Sequence, residues 1–178
     1  MRQGFVKVAA VTPKVTVADP IENAKQILEG VKRVAGIGAK IIVFPELCIT
    51  AYSCGDLFLQ ETLLLEAKKA LLYLTEETKE VDALIFVGLP YEHEGKLYNV
   101  AAALNHGQIL GIVPKTFLPN YGEFYEARHF AKGMKEVEQT WVTPQMQVPI
   151  GTNQIFVCKE LPELRVAVEI CEDVWTPN

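Results

Sequence analysis

Strand-length runs of apolar residues, each closed by a residue that can do chemistry, constrain this chain most. Ile41-Ile42-Val43-Phe44-Pro45 ends at Glu46, and Ile109-Leu110-Gly111-Ile112-Val113-Pro114 ends at Lys115. The mostly apolar Leu164-Arg165-Val166-Ala167-Val168-Glu169-Ile170 ends at Cys171. Runs this short and this continuous suit buried strands covered by helices on at least one face. They are too short to cross a membrane.

The intervening segments read as helices. Asp19-Pro20 is a helix start, an N-cap followed by proline at the first helical position. Ile21, Ala24, Ile27, Leu28, Val31, Val34 and Ala35 then recur at helical spacing until Gly36 and Gly38. A second helix is expected within residues 57–80, with Leu63, Leu64, Ala67, Leu71, Leu74 and Thr78 inward. Strands are expected at 5–11, 39–44, 83–89 (ending at Pro90), 97–104, 108–113, 154–158 and 164–170, with Asn105-His106-Gly107 as a hairpin turn and a turn at Pro162. Residues 122–133 are aromatic and charged without a clean period, and read as a surface loop crossing the site. The order β-α-β-α-β-β-β-loop-β-β predicts an α/β layered domain with a mixed sheet.

At 178 residues the chain fits one domain, and 49% hydrophobic with 22% charged residues suits a globular core. A net charge of −5 without a basic stripe argues against nucleic acid as a partner. The start at Met1 has no signal-peptide pattern, so a cytoplasmic location is expected, with no membrane partner. Cys48, Cys54, Cys158 and Cys171 form no CxxC pair, and His93, His106 and His129 lie at no metal-ligand spacing, so neither a metal site nor a disulfide scaffold is expected.

Together, Glu46, Lys115 and Cys171 supply what covalent attack on a carbonyl needs, if their strands lie side by side. A free thiol near pKa ~8.5 offers little thiolate at neutral pH, so a carboxylate must take its proton. The ammonium stabilises the oxyanion with a backbone N–H after the nucleophile, and one such donor is worth about 3 kcal/mol. Singly, each has a plainer reading: a cysteine as a small buried hydrophobe, a glutamate at a wet strand end, a surface lysine.

Three stretches resemble motifs of the nitrilase superfamily of carbon–nitrogen hydrolases: Phe44-Pro45-Glu46-Leu47, Pro114-Lys115-Thr116 with Leu118-Pro119-Asn120, and Glu169-Ile170-Cys171-Glu172-Asp173. The resemblance implies an α-β-β-α sandwich, a Glu46-Lys115-Cys171 triad and a further catalytic glutamate at Glu123, eight residues after the lysine. Residues 44–58, 115–130 and Cys171-Glu172-Asp173-Val174-Trp175 are similar to one branch, the glutaminase domain of glutamine-dependent NAD(+) synthetases. That branch implies L-glutamine as substrate, with Tyr52, Tyr121, Glu172 and Trp175 as substrate-binding residues. It also implies ammonia delivery to a synthetase domain using ATP, Mg2+ and deamido-NAD(+), and a homo-oligomer.

No pyrophosphatase-type Ser-Gly-Gly loop or Walker loop occurs in these residues, and Gly36-Ile37-Gly38 follows a helix, so the synthetase step is assigned to residues outside this chain. Because the chain stops at Asn178 directly after a strand, residues 1–178 are expected to be a partial glutaminase domain, with activity of the isolated piece in question. Two alternatives stay open: a stand-alone amidase for another small amide, and a non-catalytic fragment retained for packing.

Overall fold

Asp19 caps the first helix as its position before Pro20 predicts. Its Oδ1 accepts from Glu22 N at 3.1 Å, and Pro20 begins α1 (Pro20–Gly36). In the computed structural model, which describes residues 4–176, Gly38 takes φ +87 and closes that helix. Residues 1–3 and 177–178, with Met1 and the abrupt end at Pro177-Asn178, lie outside the described residues.

α1 buries Ala24, Ile27, Leu28 and Val31, and α2 (Glu61–Glu77) buries Leu63, Ala67, Leu71 and Leu74. Ile21, expected on the inner stripe, is exposed. Asn23 fills the buried place and donates to Thr16 O and Ile49 O. The two helices cover one face of a seven-stranded mixed sheet, where Ile42, Ile85, Val87, Val100 and Ala102 meet them in one core.

The strands are β1 (Val8–Ala10), β2 (Ile41–Val43), β3 (Leu84–His93), β4 (Lys96–Asn105), β5 (Gln108–Pro114), β6 (Glu138–Thr143) and β7 (Met146–Ile150), in spatial order β1-β2-β3-β4-β5-β7-β6. β1, β2 and β3 run parallel, β3-β4-β5 is an antiparallel meander, and β7 joins β5 in parallel. Two tight turns make the meander: Glu94-Gly95 and His106-Gly107 all have positive φ, as two-residue hairpins require.

Four strand expectations are corrected. β1 is only three residues long at the sheet edge, and Val8 is 64% exposed because it alternates with Ala9, the residue that packs on the helix-side core. β3 passes through Pro90: beyond Phe86 it pairs only with β4, so a proline nitrogen is tolerated on its open edge. The β6–β7 hairpin, whose strands alternate weakly around exposed Gln and Trp positions, lies between the expected 122–133 loop and the expected 154–158 strand, where no strand is predicted. Residues 154–170 do not extend the main sheet. Their strands shrink to β8 (Phe156–Val157) and β9 (Arg165–Val166), an antiparallel pair in a second small sheet.

That small sheet lies over the face opposite the helices, with the Phe156 ring 5.6 Å from Phe86. The described residues therefore form three layers: helices, mixed sheet and a short second sheet. Between the two sheets lies a cleft of about 220 Å³.

Candidate active site

Gly88 decides where the first carboxylate stands. The turn after β2 crosses β3 there so closely that a Cβ would overlap Leu47 N and lie 2.9 Å from Pro45 O. Phe44 N donates to Phe86 O and Ile49 N to Gly88 O, pinning the turn at both ends. Leu47 takes a left-handed φ of +51, which an L side chain rarely adopts, to aim Glu46 into the cleft.

Lys115 follows β5, three strands across the sheet from β2, and is 0% exposed. Its Nζ donates to Glu46 Oε1 at 2.6 Å and to Glu126 Oε1 at 2.8 Å. The strands bearing Glu46 and Lys115 are thus not side by side; β3 and β4 separate them, and long side chains close the gap. Burial alone would push the Lys115 pKa down, but the bonds to Glu126 and Glu46 outweigh it and the net shift is upward, so Lys115 is an ammonium.

Two carboxylates around one ammonium leave an excess negative charge, and two neutral donors meet it. Asn99 Nδ2 donates to Glu46 Oε1 at 2.6 Å, and Tyr52 OH donates to Glu126 Oε1 at 2.7 Å. Burial, then Glu126, raises the Tyr52 pKa, so the phenol keeps its proton. Each carboxylate spends one oxygen on this lattice and keeps Oε2 free of it.

Cys171 enters from the other layer. Residues 164–170 are not one strand; β9 ends at Val166, and Cys171 begins a 3-10 turn (Cys171–Val174) with φ +48. Asp173 holds this turn against the start of the Lys115 loop, accepting from Phe117 N at 2.8 Å, Thr116 N at 3.1 Å and Ile170 N at 3.3 Å. Cys171 and Glu46 line the same cleft with Phe86, Gly88 and Ala101. Burial raises the Cys171 pKa, Glu46 and Glu126 raise it further and Lys115 lowers it, with a net upward shift. At rest Cys171 is therefore a protonated thiol.

Glu123 is a correction. It is exposed and makes no contact with Lys115; the buried glutamate there is Glu126, eleven residues after the lysine. Glu126 lies in a 3-10 turn (Glu126–Arg128) held by Arg128 and His129, both paired with Asp56 in the Tyr52–Leu59 segment. That turn interrupts the loop and carries Glu126 in, where a count along an extended loop fails. Asn99 drew no attention in the sequence, although a lone amide amid Val100-Ala101-Ala102-Ala103 is a signal that something polar must face it.

The four substrate-binding candidates are spread out. Tyr52 is committed to Glu126 and lines a neighbouring cleft with Glu123, Tyr125 and His129. Tyr121 OH donates to Glu172 Oε2 at 3.1 Å at the exposed rim. Trp175 is exposed. One metal-ligand grouping occurs among the described residues, His93 and Glu94 at the β3–β4 turn with Glu138 at the start of β6; none of the three lines the cleft, and His93 Nε2 is 3.1 Å from Glu138 Oε2. No helix among the described residues is long and apolar enough to cross a membrane.

Known proteins resemble this chain in sequence and fold. A glutamine-dependent NAD(+) synthetase of Mycobacterium tuberculosis is 40% identical over 99% of this chain, which is 26% of that protein. A crystal structure of a glutamine-dependent NAD(+) synthetase from Cytophaga hutchinsonii superposes with a TM-score of 0.86 at 28% identity, covering 94% of this chain and 28% of that one. An amidase from Nesterenkonia sp. shares the fold, with a TM-score of 0.63 at 21% identity over 84% of this chain and 56% of its own. The chain thus spans about a quarter of the length of the curated relatives it matches. The carbon-nitrogen hydrolase family matches residues 7–178, taking in the Glu46 turn, the Lys115 loop and Cys171, and to that family this chain belongs.

Proposed function

We propose that this chain is the amide-hydrolysing part of a glutamine-dependent NAD(+) synthetase, working in the cytoplasm. Residues 1–178 are read as a partial glutaminase domain. The observation that carries the reading is a fully buried Lys115 ammonium shared by Glu46 and Glu126 beside the cleft lined by Cys171. A charge so costly to bury is retained where chemistry uses it.

Cys171 Sγ attacks the side-chain amide carbon of L-glutamine while Glu46 takes the thiol proton. The tetrahedral oxyanion is met by Lys115 Nζ and a backbone N–H of the Cys171 turn. Glu46 returns the proton to the leaving nitrogen, ammonia departs, and a γ-glutamyl thioester remains. A water activated by Glu46 cleaves it to glutamate and the free thiol. Glu126 and Tyr52 hold the lysine in place. Tyr121 and Glu172 at the rim suit the polar end of the amino acid, with Glu172 toward its α-ammonium and Trp175 as an outer wall.

ATP, Mg2+ and deamido-NAD(+) are assigned to a synthetase region and not to this cleft. Its walls are apolar and acidic, and no phosphate-cradling loop lies among the described residues. A homo-oligomer is proposed on resemblance.

Mass labelling of the full-length protein with diazo-oxo-norleucine tests this. One adduct is expected, on Cys171, blocked by glutamine. Cys48 and Cys54 are buried, with the Cys48 pKa pushed up to about 12 by burial, and stay unlabelled, as does Cys158. An adduct on Cys48, or labelling that glutamine does not slow, overturns the reading.

A further inference from the structure

Asn99 is the one polar side chain in the buried middle of β4, and it is 1% exposed. Asparagine is a poor strand former, and burying its amide is costly unless both ends are bonded. Only one end is: Nδ2 donates to Glu46 Oε1, while Oδ1 finds no protein donor among the described residues. The amide's orientation follows from its partner, since an ionised carboxylate only accepts, so the nitrogen must face Glu46. An apolar residue would pack this strand with less conflict. A local conflict of this kind is expected where function demands it.

The backbone of Asn99 adds a second tie. Its carbonyl accepts from Lys115 N at 2.8 Å, so one residue fixes Lys115 through the main chain and Glu46 through the side chain. Because Asn99 Nδ2 and Lys115 Nζ both take Oε1, Glu46 is locked in one rotation with Oε2 left free of them.

We infer that Asn99 is a positioning residue for the base: it fixes Glu46 so that Oε2 is the oxygen that exchanges protons with Cys171, the leaving nitrogen and the hydrolytic water. The inference rests on the proposed amide hydrolysis. It assigns Asn99 no contact with substrate, so its loss acts on turnover and not on glutamine affinity.

Glutamine-dependent ammonia release by the full-length protein tests it with two variants. Asn99→Asp keeps shape and volume but removes the donor and sets a second carboxyl against Glu46. At pH 8 it is expected to lower kcat about ten-fold or more with KM within two-fold, the order of one charge-assisted hydrogen bond. The ratio of variant to wild-type kcat should rise as pH falls to 6, because two facing carboxyls share a proton and an O–H donor returns. Asn99→Leu removes the unpaired Oδ1 as well. It is expected to lower kcat at least as much at every pH while the melting temperature holds or rises.

A loss in Asn99→Asp that is the same at every pH, or losses that track falling melting temperature in both variants, overturns the inference in favour of a packing role. Glu46→Gln separates the two readings. If it is fully active, the amide-hydrolysis assignment of Glu46 fails. If it is inactive while Asn99→Asp equals wild type at every pH, only the Asn99 inference fails.

Discussion

The two faces of the seven-stranded sheet obey different rules. Along β4, Val100 and Ala102 point to the helices and are fully buried among aliphatic neighbours. Asn99 and Ala101, alternating with them, point to the cleft and the ion cluster. The helix face is large, apolar and tolerant of its exact contents. On the cleft face small or absent side chains (Gly88, Ala101) let a loop lie on the sheet and bring charge inside. One face stabilises the domain, and the other uses some of that stability to hold Lys115 among carboxylates where water would otherwise be.

Lys115→Met should break the contrast most sharply. It leaves Glu46 and Glu126 together without a cation, and removing one partner of a buried ion pair costs about 3–5 kcal/mol. Ammonia release should fall by about 10³-fold or more, since the proposed oxyanion stabilisation goes with it. In denaturant melts the stability deficit should shrink from pH 7 toward pH 4, because crowded carboxyls take up a proton and stop repelling. A variant as stable as wild type at pH 7 would show that the cluster is not under charge strain.

Leu71→Ala, on the helix face, should cost about 2–5 kcal/mol of stability yet leave kcat of the folded protein within two-fold. A kcat loss there would mean the faces are coupled. Gly88→Ala sharpens the comparison from the cleft side. Its Cβ has backbone against it, so about 1–3 kcal/mol of strain is expected, with kcat reduced about ten-fold because the Glu46 turn must lift. Equal loss in stability and none in kcat would detach that turn from catalysis.

Much of the helix face was legible in the sequence because helical spacing, a capped proline start and hairpin turn residues are local signals. The cap of α1 and the β4–β5 turn fell where local chemistry put them. The edge position of β1, the passage of β3 through Pro90 and the separate β8–β9 sheet depend on which strands pair, and pairing is non-local. On the cleft face, Glu46, Lys115 and Cys171 announced themselves at the ends of apolar runs. Glu126 did not, because a 3-10 turn tethered by Asp56 decides which glutamate of that loop is buried. Asp173 was visible only as a motif letter; its three backbone partners come from two segments more than fifty positions apart.

The charge imbalance around Lys115 also bears on how such a protein can change by descent. Removing the lysine strands two carboxylates, and removing either carboxylate upsets donors that Asn99 or Tyr52 still aim at it. Cys171 belongs to no ion pair among the described residues and stands exposed on its own turn. A lineage that abandoned the proposed reaction would shed Cys171 first and carry Glu46, Lys115 and Glu126 onward as an intact buried lattice.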